Sequence, residues 1–202
     1  MLKNSKKYIN LLQVLLETKT HIGHKKTDWV PKIAPYILAE YKGLYLLNLE
    51  YTIPLLKKAL GVFFNIYNKN KNILIIGNSN TNRSYVAELV KRNNIYGLYT
   101  KWVGGSLSNW NPRHFKYTQV NFKEPSLIVL LNVKGNENVI KEATKKSIPV
   151  MAILDTDIDP KGIQYPVPGN DDSPQAQYLY YKLILNILKR KLSSSNIMTD
   201  FQ

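Results

Sequence analysis

The run Lys101-Trp102-Val103-Gly104-Gly105-Ser106-Leu107-Ser108-Asn109-Trp110-Asn111-Pro112-Arg113-His114 combines two indole rings, a glycine pair and several basic or imidazole groups with no carboxylate. Cations of this kind neutralise phosphates, and aromatic faces stack on exposed bases at about 1–3 kcal/mol per stack. Asn109 and Asn111 can hydrogen-bond bases or sugars, Lys116 extends the basic set, and the glycine pair lets backbone approach a ligand with no Cβ in the way. The chemistry that fits is recognition of an anion carrying flat rings, so RNA is the first candidate. A second group, Lys25, Lys26, Trp29 and Lys32, repeats the combination close to His21 and His24. For each Trp the competing reading is a core position, with the charges as a solvated rim.

Three other constellations invite catalytic or metal chemistry. Ile73 to Arg83 reads as a strand, a turn and a helix start, where a nucleotide enzyme would place its phosphate loop. The turn has one glycine, Gly77, followed by Asn78-Ser79-Asn80-Thr81-Asn82, and lacks both the triple-glycine fingerprint and Gly-Lys-Ser/Thr. An ordinary strand-to-helix turn capped by Ser, Thr and Asn fits it better. Asp155-Thr156-Asp157-Ile158-Asp159-Pro160 follows a strand and resembles a divalent-metal loop, but Pro160 and Pro166 stand where a calcium hand needs Gly and Glu. With Asp171 and Asp172 the loop could serve a metal-dependent phosphohydrolase or nucleotide-binding enzyme; the plainer reading is that these Asp residues bind backbone amides in turns. His21 and His24 have no adjacent acid or Cys in sequence and form a weak metal pair, so no metal ligand set, catalytic residue or cofactor is assigned.

The elements that must position these groups follow from periodicity. Ile9, Leu12, Leu15 and Leu16 predict an amphipathic helix over 6–18, and His21, Gly23 and His24 fall in an expected loop. Leu44 to Leu49 is a short apolar run, and Thr52-Ile53-Pro54 suits the start of a helix over 52–68. Continuous apolar strands at 73–76, 127–131 and 148–154 alternate with helices around Val86 to Val90 and over 137–146. That alternation argues for an α/β fold with a parallel sheet covered by helices on both faces. A last helix carries Tyr178 to Leu188, residues 1–192 are expected to form one domain, and 193–202 a polar tail.

Composition narrows the partner. Lys and Arg number 28 against 14 Asp and Glu, giving a net charge of +14, which concentrates polyanions around the molecule. No run approaches the roughly 18 apolar residues of a membrane-spanning helix, and a soluble protein is expected. The chain has no Cys, which excludes disulfides, thiolate catalysis and Cys-ligated clusters. Its start, Met1 to Lys7, is basic but leads straight into the first helix, and reads as a basic tail rather than a cleavable presequence. Heavy use of Asn, Lys, Ile and Tyr matches codons rich in A and T, as in organelle genomes.

In order along the chain, the motifs resemble the small-subunit ribosomal protein two family, of bacterial and organellar type. They are His21-Ile22-Gly23-His24, Trp29 to Ile37, Leu46-Leu47-Asn48-Leu49, the Ile73 to Gly77 strand, Lys101 to Asn109, Ile148-Pro149-Val150, Asp155 to Pro160 and Val167 to Ser173. The resemblance covers residues 8 to 190. It implies a Rossmann-like or flavodoxin-like sheet on the back of the small subunit, near the junction of head and body. It further implies binding to small-subunit rRNA, contact with other small-subunit ribosomal proteins, and no enzymatic activity or small-molecule substrate.

The chain departs from the family pattern at several points. Lys101 replaces the Arg usual before Trp-x-Gly-Gly, Asn48 stands where Asp is expected, and Gln175 where a basic residue is expected. Bacterial members insert a long helical hairpin before the strand at 127; here only Phe115 to Pro125 separates the motifs, so that hairpin is missing. A free RNA-binding regulator and the Asp-loop enzyme are the competing functions. The short link and the codon skew point to a mitochondrial ribosome rather than a plastid or bacterial one. The expected RNA-binding residues are His21, His24, Lys25, Lys26, Trp29, Lys32, Lys101, Trp102, Asn109, Trp110, Arg113, His114 and Lys116.

Overall fold

A computed structural model describes residues 2–92, 95–110 and 123–190. Arg113, His114, Lys116 and the expected tail at 193–202 lie outside the described residues. In chain order the elements are α1 (Leu2–Glu17), β1 (Ile22–Lys25), a 3-10 helix (Pro31–Tyr36), β2 (Ile37–Tyr41), β3 (Leu44–Leu47) and α2 (Leu49–Asn68). There follow β4 (Ile73–Ile76), α3 (Asn80–Arg92), β5 (Tyr96–Leu98), β6 (Leu127–Leu130), α4 (Glu137–Lys145), β7 (Val150–Leu154), β8 (Tyr165–Pro168) and α5 (Pro174–Arg190).

Five strands form one parallel sheet in the order β5-β4-β6-β7-β8. This is the flavodoxin-like arrangement, with its order reversing between β4 and β6. Because side chains alternate along a strand, each strand feeds two cores. Ile73, Ile75, Leu127, Val129, Met151 and Ile153 pack under α2, α3 and α5. Leu74, Ile76, Ile128, Leu130, Ala152 and Leu154 pack on the other face, against α4, Ile33, Trp102 and Leu107. The expected α/β class with both faces covered is the fold observed.

The close packing is sharpest where α3 crosses β5. A Cβ on Gly97 would collide with Val90 and lie 2.8 Å from Val86 Cγ1, inside van der Waals contact. Gly97→Ala is therefore expected to cost about 1–3 kcal/mol through overpacking, read as a lower midpoint in urea unfolding with an unchanged slope.

Several expectations shift. The expected loop holds only His21: from Ile22 the chain is β1, which pairs antiparallel with β3, and β2 pairs with the other edge of β3, in a separate three-stranded sheet. The β2–β3 hairpin turns at Lys42-Gly43, both at positive φ (51° and 78°), the backbone that tight two-residue turns require. The second helix starts at Leu49, ahead of Thr52, because the Asn48 side chain caps it by accepting from the Glu50 N–H at 2.9 Å. Asn serves as well as Asp in that role, which gives the departure at position 48 a structural meaning. Strand β8 contains Pro166 and Pro168 and lies at the sheet edge, where a missing N–H is tolerated.

The small sheet is fastened to the C-terminal ends of β7 and β8. The Val30 N–H donates to the Thr156 carbonyl at 2.9 Å, and the Asn170 N–H to that of Thr20 at 2.9 Å. The His24 N–H donates to Thr156 Oγ1 at 2.8 Å. Gly23 permits this approach, since a Cβ there would sit 2.5 Å from Thr156 Cγ2 and 3.1 Å from Asp155 Oδ1.

Candidate nucleic-acid interface

Both basic and aromatic segments pack on one face of the five-stranded sheet, the face that α4 covers. Trp102 and Leu107 are buried there, and Trp29 and Trp110 are half-buried against the same cluster. Trp29 also packs against Tyr45 with ring centres 5.2 Å apart, and Trp110 meets Tyr96 edge-on at 6.1 Å. The sequence leaves each Trp open between stacking platform and core; the fold sends Trp102 to the core, at 7% exposure, and leaves the other two with part of a ring at the surface.

What fixes the Trp102 loop is Glu142, a residue that the sequence reading places only within a helix. Its Oε1 accepts from Trp102 Nε1 at 3.0 Å and the Gly105 N–H at 2.8 Å. Its Oε2 accepts from the Leu107 N–H at 2.9 Å and the Ser108 N–H at 3.3 Å. Burial opposes ionisation of this carboxyl, yet the donors from Trp102, Gly105, Leu107 and Ser108 hold it below the ordinary glutamate value. The loop is an anion-binding nest, and the anion it holds is its own glutamate. A signal was present in the sequence: Glu142 lies between Val139, Ile140 and Ala143 on the buried stripe of α4, where an unpaired charge has no place.

Outside that anchor the loop faces solvent. Lys101, Val103, Gly104, Ser108 and Asn109 are exposed, and no atom of the described residues would meet a Cβ on Gly104 or Gly105. Gly105 has φ +86°, so a side chain there would be strained. Asn109 is held by its backbone N–H to the Gly105 carbonyl at 2.8 Å, and its exposed side chain is accessible to a base or sugar.

In the first basic group, Lys25 is exposed at the end of β1. Lys26 pairs with Glu40 at 2.8 Å and Lys32 with Asp159 at 2.7 Å, both with exposed partners. Exposed pairs of this kind are worth little, so both ammonium groups can turn to a phosphate at small cost. The two histidines behave differently. His21 is half-buried, and burial, only partly opposed by a backbone hydrogen bond at Leu15, lowers its pKa. It stays neutral at pH 7 and can offer a hydrogen bond but no charge.

His24 faces inward, among carboxylates. Its Nδ1 lies 3.1 Å from Asp155 Oδ1 and 3.7 Å from Asp157 Oδ1, and its Nε2 lies 3.1 Å from Asp172 Oδ2. Contact with Asp155 raises its pKa first, burial opposes, and the charges of Asp155, Asp157 and Asp172 complete the rise to about 9. Its charge is thus compensated within the protein. Asp171, 5% exposed, is pushed up to about 7 by burial first and then by Asp155, Asp172 and Asp157. With Asp155 wholly buried and Asp171 nearly so, these carboxylates are enclosed rather than presented to a substrate. The Asn-rich turn is likewise turned inward: Asn132 Nδ2 donates to Asn78 Oδ1 at 2.7 Å, and Asn78 Nδ2 to Asn136 Oδ1 at 3.2 Å, so it is a strand-to-helix turn closed by side chains from the segment between β6 and α4.

Comparison with known proteins agrees with this architecture. The family model described as ribosomal protein S2 matches residues 15–121 and 112–190, two segments that overlap over 112–121. The chain is 31% identical over 228 residues to small ribosomal subunit protein uS2 of Ehrlichia ruminantium (strain Gardel), covering 92% of this chain and 80% of that protein. It is 29% identical to uS2 of Ehrlichia canis (strain Jake) over 92% of this chain and 78% of that one. The uS2 of Rhodopseudomonas palustris (strain TIE-1) is 32% identical over 86% of this chain and 64% of its own length. A match that runs from residue 15 to residue 190, through every strand of the parallel sheet, places this chain in the ribosomal protein S2 family.

Proposed function

We propose that this chain is a structural, rRNA-binding constituent of the small subunit of a mitochondrial ribosome, where it also contacts neighbouring small-subunit proteins. The observation that carries the reading is its membership of a family whose relatives bear the name small ribosomal subunit protein uS2. The charge of +14 supplies the attraction to a polyanion. Lys25, Lys26, Lys32 and Lys101 contact phosphates, Asn109 contacts a base or sugar, and the exposed parts of Trp29 and Trp110 meet bases. Arg113, His114 and Lys116 extend the basic set. Trp102, His21 and His24 act indirectly, by shaping the surface that carries these groups. Residues 1–192 work as one binding domain and 193–202 as a tail, without cofactor or catalysis.

The mitochondrial assignment rests on the short Phe115 to Pro125 link and on the amino-acid skew. The relatives named above are bacterial, so bacterial cytoplasm is one alternative and a plastid the other. Sedimentation of a native mitochondrial lysate through sucrose, with mass spectrometry of each fraction, tests both parts. The chain is expected to travel with the small subunit and to stay there through a wash of about 0.5 M salt, which removes weak phosphate-only binding. Recovery only in light fractions overturns the ribosomal reading, and absence from mitochondria with recovery on bacterial subunits overturns the organellar one. No helix among the described residues is long and apolar enough to cross a membrane.

A further inference from the structure

The junction between β1 and the end of β7 collects more negative charge than its partners neutralise. His24 enters from the small sheet, Asp155 and Asp157 from the loop after β7, and Asp172 from the loop before α5. Asp155 is wholly buried, and among the described residues its Oδ2 meets no donor. Its Oδ1 accepts from the Thr156 N–H at 2.6 Å. His24 Nδ1 approaches that Oδ1 to 3.1 Å, but without the alignment of a good hydrogen bond. A buried carboxylate oxygen with no donor is costly, and the usual remedies are a proton, a water or a cation.

The spacing fits a cation. Metal–nitrogen and metal–oxygen bonds of about 2.0–2.2 Å place neighbouring ligand atoms roughly 3–3.6 Å apart. The separations from His24 Nδ1 to the two carboxylate oxygens are 3.1 and 3.7 Å, and one donor atom from each of His24, Asp155 and Asp157 lies within 4.8 Å of the others. The imidazole is also oriented as in a metal site. Its far nitrogen, Nε2, faces Asp172 Oδ2 at 3.1 Å, the outer carboxylate that commonly takes the Nε2–H, so a cation that displaces the Nδ1 proton finds that nitrogen already turned toward it. Lys134 Nζ holds the second oxygen of Asp157 at 3.2 Å, which turns the first toward His24.

We propose that His24 Nδ1, Asp155 and Asp157 bind a divalent cation of the Zn2+ or Mn2+ kind, with Asp172 orienting the imidazole, and that this ion pins the small sheet to the parallel one. One imidazole with two carboxylates is a mixed nitrogen and oxygen set, which suits these ions better than Mg2+, an ion that prefers oxygen and keeps its waters. The role is structural, because the ion would tie His24 on β1 to Asp155 and Asp157 in the loop after β7. The inference stands apart from the rRNA reading, since binding of an ion and binding of RNA are read separately.

The experiment is calorimetric titration of the metal-stripped full chain with Zn2+ and with Mn2+. One equivalent of at least one of the two ions is expected to bind. Asp172→Asn is expected to weaken it about 10–100-fold, and His24→Gln or Asp155→Asn at least as much. Should those variants fail to fold, the double variant His21→Gln with His114→Gln leaves His24 as the sole histidine of the three in the chain. Mn2+ bound to that protein should show one imidazole nitrogen coupling in pulsed electron paramagnetic resonance. Absence of saturable binding, or bound Mn2+ without nitrogen coupling, overturns the proposal.

Discussion

Glu142→Ala is expected to destabilise the protein by about 3–5 kcal/mol, because it leaves four N–H donors without the charge they were arranged around. For a chain of this size that corresponds to a fall of roughly 6–20 °C in Tm, measured by circular dichroism. Glu142→Gln should recover only part of the loss, since its amide nitrogen must face one pair of donors. The sign of the pH dependence follows from the lowered carboxyl pKa. A carboxyl depressed in the folded state adds stability that is fully present above its unfolded value, near 4.3, and is lost as pH falls through the folded value. The gap between wild type and Glu142→Gln should therefore be widest at neutral pH and close as the solution is acidified. A constant gap down to low pH would mean that packing, not the charge, holds the loop.

Strength of burial decided which parts of this architecture could be read in advance. Strands β4, β6 and β7 are short, continuous apolar runs buried on both faces, and such runs announce themselves. Strand β5 has only three residues and β8 two prolines, so neither carries a periodic signal. The small sheet leaves little local signal because its strands are half-exposed, and its clearest cue is the Lys42-Gly43 turn. The interface was legible as composition but not as geometry. A Trp beside Lys and Gly looks the same whether it stacks on a base or fills a core, and what decides is Glu142, 40 residues further on. The His24 environment depends on Thr156, 132 residues away, reaching β1 through space that Gly23 leaves open. Pairings of that range arise from how the two sheets meet, which no local pattern encodes.

Replacing Lys25, Lys26, Lys32 and Lys101 together with Gln is expected to cost the chain on the order of a thousandfold in affinity for small-subunit rRNA at 0.1 M salt. Each phosphate neutralised contributes a slope of roughly 0.7–0.9 in log affinity against log salt, so four contacts account for about three units of slope and three decades at that concentration. The loss should shrink as salt rises toward 1 M, where the released counterions no longer favour binding. All four ammonium groups lie on the exposed surface, and the two that pair do so with exposed partners, so the fold should survive the change. Asn109→Ala serves as the contrast: it removes a contact to a base or sugar, and should lower affinity at every salt concentration without altering the slope. Filter binding of the variants to a small-subunit rRNA fragment across a salt series separates the two effects. If the quadruple variant keeps the wild-type slope, the phosphate contacts lie elsewhere on the protein, and the surface built on the α4 face is not the one that holds the RNA.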